Sequence, residues 1–321
     1  MHFARDLLQL PIRFDADALA ADIASLPEAA WVPHPMAFPG NDAVPLVSVN
    51  GGLNDEFNGP MAATEHLARL PYIAGLMEEL GGVWGRSRLM GLGAGAVVPR
   101  HVDIHYYWRT HIRIHVPVVT NPGVRFLCGN EEKHMRPGEA WVFNSFKLHE
   151  VRNEGNEKRI HLVLDTVGSD RIRRLIEQAN ADAPIPDQAW RPAHPTPPNL
   201  HFERVNHSTV MSPWEMRCHA DFLLEHAVDE PGEEVRDAID RFIFLWQAAW
   251  TEHGEDETGW PIYRELVQAG RRELTQAGAT EVILDNEAPL SRGLDALILG
   301  RALILANAQS RANVAPSPKA A

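Results

Sequence analysis

The stretch HVDIHYYWRTHIRIH, residues 101–115, gathers four histidines, an aspartate and two arginines in a chain that is acidic overall. His101 and Asp103 stand two apart, and side chains two apart on an extended segment project to one side, so imidazole and carboxylate can reach a single cation. His149, in the strand-like run HEVRN, offers a third ligand that a closed sheet could bring alongside. Two histidines and one carboxylate on one side of an octahedral metal leave positions open for substrate and oxygen, the donor set that suits non-haem Fe(II). Zinc is the competing metal. His101 with His105, or His111 with His115, has the four-residue spacing of a helical zinc site, but β-branched residues and even periodicity favour a strand and so disfavour zinc. On the residues alone the triplet stays open between a metal site and a polar strand face, since a short H-x-D is a common sequence.

The same alternation organises the neighbouring runs. In HIRIHVPV, His111, Arg113 and His115 share one face while Ile112, Ile114 and Val116 share the other. In RIHLVLD, Arg159, His161 and Val163 oppose Ile160, Leu162 and Leu164. Apolar backs behind short strands place such polar faces either in solvent or inside a barrel.

The elements that must position these residues are short strands. From about residue 87 to 166 the chain reads as β-rich runs separated by Pro, Gly and Asn turns, the texture of a sandwich, barrel or jelly roll. Before it, RDLLQLPIRFD has the look of a strand, Leu19, Ile23 and Leu26 have helical spacing, residues 31–60 look like surface loop, and YIAGLMEELGG reads as a helix ended by glycine. GLGAG at 91–95 lacks the G-x-G-x-x-G order of a dinucleotide loop, and no helical pattern follows it. After a helix in SDRIRRLIEQAN, the segment 183–200 is rich in proline and reads as a stiff linker. The rest looks helical: Ser212, Pro213 and Glu215 form a capping start, and Val235, Ile239, Phe242, Ile243, Trp246 and Trp250 line one face before Gly254. The organisation expected is a β domain with N-terminal α/β supports over 1–182, a linker over 183–200, a helical region over 201–308 and a flexible tail over 309–321.

A formal charge of -13 in 321 residues disfavours nucleic acid and anionic membrane as partners and leaves small molecules or peptides. The chain has only two cysteines, Cys128 and Cys218, with no C-x-x-C spacing, which suits a reducing cytoplasm. Charges at Arg5, Asp6 and Arg13 interrupt the first apolar run, unlike a signal peptide, and the late run 294–306 is broken by Arg301 and too short for a membrane span.

Taken in order, RHVD, IRIHVPV, VRFLCGNE, PGEAWVFNSFKLHEVRNEG and KRIHLVLD resemble the aspartyl/asparaginyl β-hydroxylase family of Fe(II)/2-oxoglutarate dioxygenases, over roughly residues 85–168. Bacterial cis-4-proline hydroxylases are similar too, sharing the H-x-D, an IRVH-like strand, a distal histidine and a C-terminal helical region. The resemblance implies a double-stranded β-helix, a cupin-like jelly roll, with flanking helices. It implies His101, Asp103 and His149 as iron ligands, Arg159 on the distal carboxylate of 2-oxoglutarate, and Arg113 with His115 near its keto-acid end. Well-known animal members have glycine where this chain has Asp103, so the chain resembles the bacterial members with a full triad. A carboxylate there also fills the position that related halogenases leave to chloride, which favours hydroxylation.

The activity implied is hydroxylation of an amino-acid side chain, with O2 consumed, succinate and CO2 released, and ascorbate as a supporting reductant. The β-carbon of an Asp or Asn unit is one substrate expectation, and a free amino acid handled as by the proline enzymes is the other. A non-catalytic cupin-like metal- or ligand-binding protein is the alternative of another class. Substrate contacts are expected from Tyr106, Tyr107, Trp108 and Arg109, in a loop at the barrel mouth, and from Arg125. Trp31 and His34 are more distant candidates. A homodimer is a further expectation.

Overall fold

The computed structural model describes residues 3–34, 38–192 and 198–304. Residues 193–197 of the proline-rich segment, 305–308 of the expected helical region and the expected tail 309–321 lie outside them. The chain divides into two compact units, one of Met1–Asp103 with Tyr107–Asn206 and one of Ile104–Tyr106 with His207–Ala321.

The first unit is built on two mainly antiparallel sheets. The larger runs in the order Leu7–Arg13, Glu139–Phe143, Ile112–Val119, Arg159–Gly168, Val83–Leu92, Asn41–Val49 and Val32–Pro33. The smaller runs Val97–His101, His149–Asn153, Val124–Cys128 and Glu131–Lys133. Neighbours in space are distant in sequence, so the chain winds between two facing sheets as a jelly roll, the class that the short runs predict.

Alternation decides which side chains go where. Ile112, Ile114, Val116 and Val118 join the core on the outer face of the larger sheet, against the helices Ala16–Ala24, Pro71–Leu80 and Asp170–Asn180. Each such buried aliphatic side chain contributes about 1.5–3 kcal/mol. Arg113 and His115 therefore turn to the inner face, between the sheets. The helices start and stop on sequence signals. Asp15 accepts from the backbone N–H groups of Asp17 and Ala18, and the Ser169 hydroxyl accepts from Ile172 N–H. Gly81 closes Pro71–Leu80 at φ 62, the left-handed conformation that glycine adopts without steric cost.

Three expectations are corrected. Residues 31–60 are not all surface loop, because Asn41–Val49 is a buried strand of the larger sheet. Val44, Leu46 and Val47 are fully buried, so the strand lacks the period-two pattern that marks a half-exposed one. Its Pro45 lies at a register shift, where a missing N–H is tolerated. Secondly, YYWR is not a loop; Tyr106–Thr110 is a short helix. Finally, residues 201–206 group with the β-rich unit. His201–Phe202 pairs in parallel with Val83 and Trp84, and Glu203 is buried against His111. Part of the proline-rich segment is likewise anchored: Trp190 N–H donates to the Arg13 carbonyl, and its ring lies edge-on to Phe14.

The second unit carries the helices Pro213–Glu225, Glu233–His253, Trp260–Gln276 and Leu290–Leu294. Ser212 accepts from Glu215 N–H, and the stripe from Val235 to Trp246 is buried. No helix among the described residues is long and apolar enough to cross a membrane.

Candidate metal centre

His101 ends the strand Val97–His101, His149 begins His149–Asn153, and antiparallel pairing sets the two directly opposite each other. Asp103 follows His101 by two residues, and its N–H donates to the Ser145 carbonyl at 3.0 Å, which pins the segment beside the sheet. The His101 Nε2 lies 3.9 Å from Asp103 Oδ1, and the His149 Nε2 lies 3.9 Å from Asp103 Oδ2. One ligand atom from each residue falls within 4.8 Å of the others, so this is a group that could hold a metal ion.

Both rings are held in the tautomer that a metal needs. His101 Nδ1 is 2.7 Å from the Pro99 carbonyl and His149 Nδ1 is 2.9 Å from that of Lys147. A carbonyl only accepts, so each Nδ1 carries the proton and each Nε2 presents its lone pair toward Asp103. Burial, only partly opposed by Asp103, draws His149 down to about 4, so its ring is neutral at pH 7.

Asp103 is oriented in turn. Arg113 Nη1 donates to its Oδ2 at 2.9 Å, and Arg113 Nε donates to Asp165 Oδ1 at 3.0 Å. Asp165 stands directly across from Arg113 in the sheet register. Burial alone would raise the Asp103 carboxyl, but Arg113, His149 and His101 outweigh it and hold the group below the ordinary carboxylate range. For Arg113, burial is outweighed by Asp165 and Asp103, and the guanidinium is held above its usual value. Its face rests on Trp108, 3.8 Å from the ring centre.

Further along the inner face, Arg159 is 4% exposed, and its Nε and Nη2 have no hydrogen-bond partner. Burial draws this guanidinium down to about 9. His115 is also buried with both ring nitrogens unpartnered, edge-on to Phe126 and Phe143. An orphaned buried donor is costly, and a buried guanidinium without an acid calls for an anion whose planar oxygens match its fork. The residues therefore fit a divalent metal at the triad and a carboxylate at Arg159.

The structure brings His101, Asp103 and His149 together with Arg113, His101 being the most exposed of the four, and buries His115 and Arg159 inside the same barrel. It does not bring Arg125 there. On Val124–Cys128, Phe126 faces inward, so Arg125 faces out, where it pairs with Glu132 at 3.3 Å and donates to the Pro122 and Val124 carbonyls. Tyr107 is buried, stacks on His111 and accepts from Arg86 N–H at 2.8 Å. Tyr106 lies edge-on to His219 within the second unit. Trp108 touches Arg113 as described, and Arg109 is half-buried near the end of the same short helix. Trp31 carries Lys158 over its ring, and His34, half-buried, is drawn down to about 4 by burial and Arg88.

Two inner residues escape the sequence reading. Asp165 continues the face of Arg159, His161 and Val163, and Arg86 repeats the period-two pattern in GRSRLM. Arg86 is 6% exposed with Nε unpartnered, and its guanidinium lies 3.9 Å over the Phe57 ring.

The chain is similar to several known proteins. L-proline cis-4-hydroxylase of Rhizobium meliloti (strain 1021) is 26% identical over 183 residues, an alignment covering 52% of this chain and 64% of that relative. Among solved structures, an oxidoreductase of the 2OG-Fe(II) oxygenase family from Burkholderia pseudomallei is 18% identical, with a TM-score of 0.38 over 52% of this chain and 87% of that one. A Pseudomonas putida prolyl-4-hydroxylase is 16% identical, with a TM-score of 0.36 over 51% and 92%. Residues 53–168, which hold the triad and Arg159, match the model of the aspartyl/asparaginyl β-hydroxylase family.

Proposed function

We propose that this chain is an Fe(II)/2-oxoglutarate-dependent hydroxylase of an amino-acid side chain, with His101, Asp103 and His149 as the iron ligands. The observation that carries the reading is Arg159, a buried guanidinium with unpartnered nitrogens inside the same barrel as a complete His/Asp/His set. A protein that only stored metal would have no use for an anion clamp there, which disfavours the non-catalytic cupin. With iron and 2-oxoglutarate bound, O2 supplies one oxygen atom to succinate and one to the new hydroxyl, with CO2 released.

The chain's own groups do the positioning. His101 and His149 offer neutral Nε2 atoms fixed by the Pro99 and Lys147 carbonyls. Arg113 takes one oxygen of Asp103, is itself braced by Asp165, and leaves the other oxygen of Asp103 for the metal. It acts on the site through Asp103. Arg159 binds the distal carboxylate, and His115 contributes a ring nitrogen to the cosubstrate.

The family-like sequence blocks favour the β-carbon of an Asp or Asn unit. Two observations favour a free amino acid instead: the relative that hydroxylates L-proline, and Arg86, whose buried unpartnered Nε suits a small substrate's carboxylate. The free amino acid is the leading reading. Succinate release from 2-oxoglutarate, followed over free amino acids and short peptides, tests it. Turnover on peptides alone reverses the order, and turnover on neither class, in the presence of Fe(II) and ascorbate, refutes the hydroxylase.

A further inference from the structure

The barrel interior holds another polar group, which the proposed function leaves without a task. His161 lies two residues beyond Arg159 on the inward face of Arg159–Gly168, 1% exposed, with neither ring nitrogen hydrogen-bonded. Its neighbours across the sheet do not serve it. The register sets Met90 on one side and Pro117 on the other, and neither offers a side-chain partner for an imidazole. His115 lies edge-on at 5.8 Å between ring centres, without a hydrogen bond between the two. Buried polar groups in a native core are almost always satisfied, so an orphaned imidazole points to a ligand.

The nearby charge identifies that ligand's sign. After burial, Arg159 is the main influence pressing His161 toward its neutral form, so the cation and the imidazole share one region of the interior. A neutral imidazole beside a guanidinium can donate one N–H, and an acceptor lying between the two satisfies both. A carboxylate has two oxygens with lone pairs enough for a forked guanidinium and one further donor.

Resting on the 2-oxoglutarate reading of the site, we propose that His161 donates an N–H to the same distal carboxylate that Arg159 binds. Arg159 and His161 together are then a two-donor clamp that selects 2-oxo acids bearing a second carboxylate. His161 is a cosubstrate-binding residue, remote from the metal, and its effect belongs to one end of the ligand only.

The test compares two ligands by anaerobic calorimetry on the Fe(II)-loaded protein: 2-oxoglutarate, and 2-oxopentanoate, which keeps the keto-acid end and lacks the distal carboxylate. His161→Leu is expected to weaken 2-oxoglutarate by about 10- to 100-fold, the worth of one hydrogen bond to a charged group. Its affinity for 2-oxopentanoate and for Fe(II) should stay at the wild-type level. His161→Gln, which restores a donor, should recover most of the loss, and this separates the clamp from a packing defect. Wild-type affinity for 2-oxoglutarate in His161→Leu overturns the assignment, as does an equal loss of both ligands without rescue by glutamine. If the wild-type protein itself does not prefer 2-oxoglutarate to 2-oxopentanoate, the cosubstrate reading fails and the clamp fails with it.

Discussion

Replacing Arg159 by methionine separates what the guanidinium does to the fold from what it does for a ligand, because the two effects have opposite signs. Burial draws Arg159 from its ordinary value down to about 9. At 1.36 kcal/mol per pH unit, keeping it charged costs the folded state on the order of 5 kcal/mol as an upper bound. The folded value lies below the unfolded one, so the cost is full below about pH 9 and shrinks only as the pH rises from there toward the unfolded value. Methionine keeps much of the packing volume and removes the charge. Exchanges of buried charges for apolar side chains stabilise by about 1–4 kcal/mol, and Arg159→Met is expected to gain within that range in the ligand-free protein. The ligand effect runs the other way. Two N–H groups that would meet a carboxylate are lost, at about 1.5–3 kcal/mol each, so 2-oxoglutarate should bind roughly 100- to 10,000-fold more weakly. Urea unfolding without ligand reads the first effect, and anaerobic calorimetry with Fe(II) reads the second. A variant that is less stable than wild type yet keeps its 2-oxoglutarate affinity refutes the reasoning, since the guanidinium would then have an internal partner and no ligand to serve.

The remaining predictions concern the triad and its support. Asp103→Ala and His149→Ala should each abolish succinate release and tight Fe(II) binding while circular dichroism stays that of the wild type; turnover in either variant removes that residue from the ligand set. Asp165→Asn loosens the brace on Arg113 and should lower Fe(II) affinity about 10- to 100-fold without touching a ligand, measured by competition with a chelator. Acid should destabilise the metal-free protein from about pH 6.5 downward. His149 is held near 4 and His115 and His161 well below 6.5, burial being the leading cause in each, so the unfolded chain binds up to three more protons than the folded one in that window. Stability then falls by about 1.4 kcal/mol per pH unit for each imidazole, about 4 for three. Urea midpoints between pH 7 and 5 check the slope, which His161→Leu should reduce by one proton's worth; a flat profile would mean that these rings are solvated.

The placement of the site shows which kinds of information a linear sequence carries. Face-sharing within one strand is local, so Arg113 with His115, and Arg159 with His161, could be grouped from spacing alone, as could His101 with Asp103. What one strand presents to another is not local. Arg113 meets Asp165 because the register of Ile112–Val119 on Arg159–Gly168 sets them opposite, and nothing within either run specifies that register. The same pairing holds Arg113 where its Nη1 reaches Asp103. Burial on both faces hides a strand altogether, as in Asn41–Val49, where the apolar residues are continuous and Pro45 imitates a loop. Arg125 departs from its expected place for the opposite reason: its block resembles one near the site, but Phe126 turns inward, which sends the preceding side chain, Arg125, outward. The orphaned donors belong to a further category. That Arg159 and His161 lack partners follows from the whole surrounding shell, Met90 and Pro117 included, so the strongest pointer to a bound carboxylate arises only once the barrel is closed.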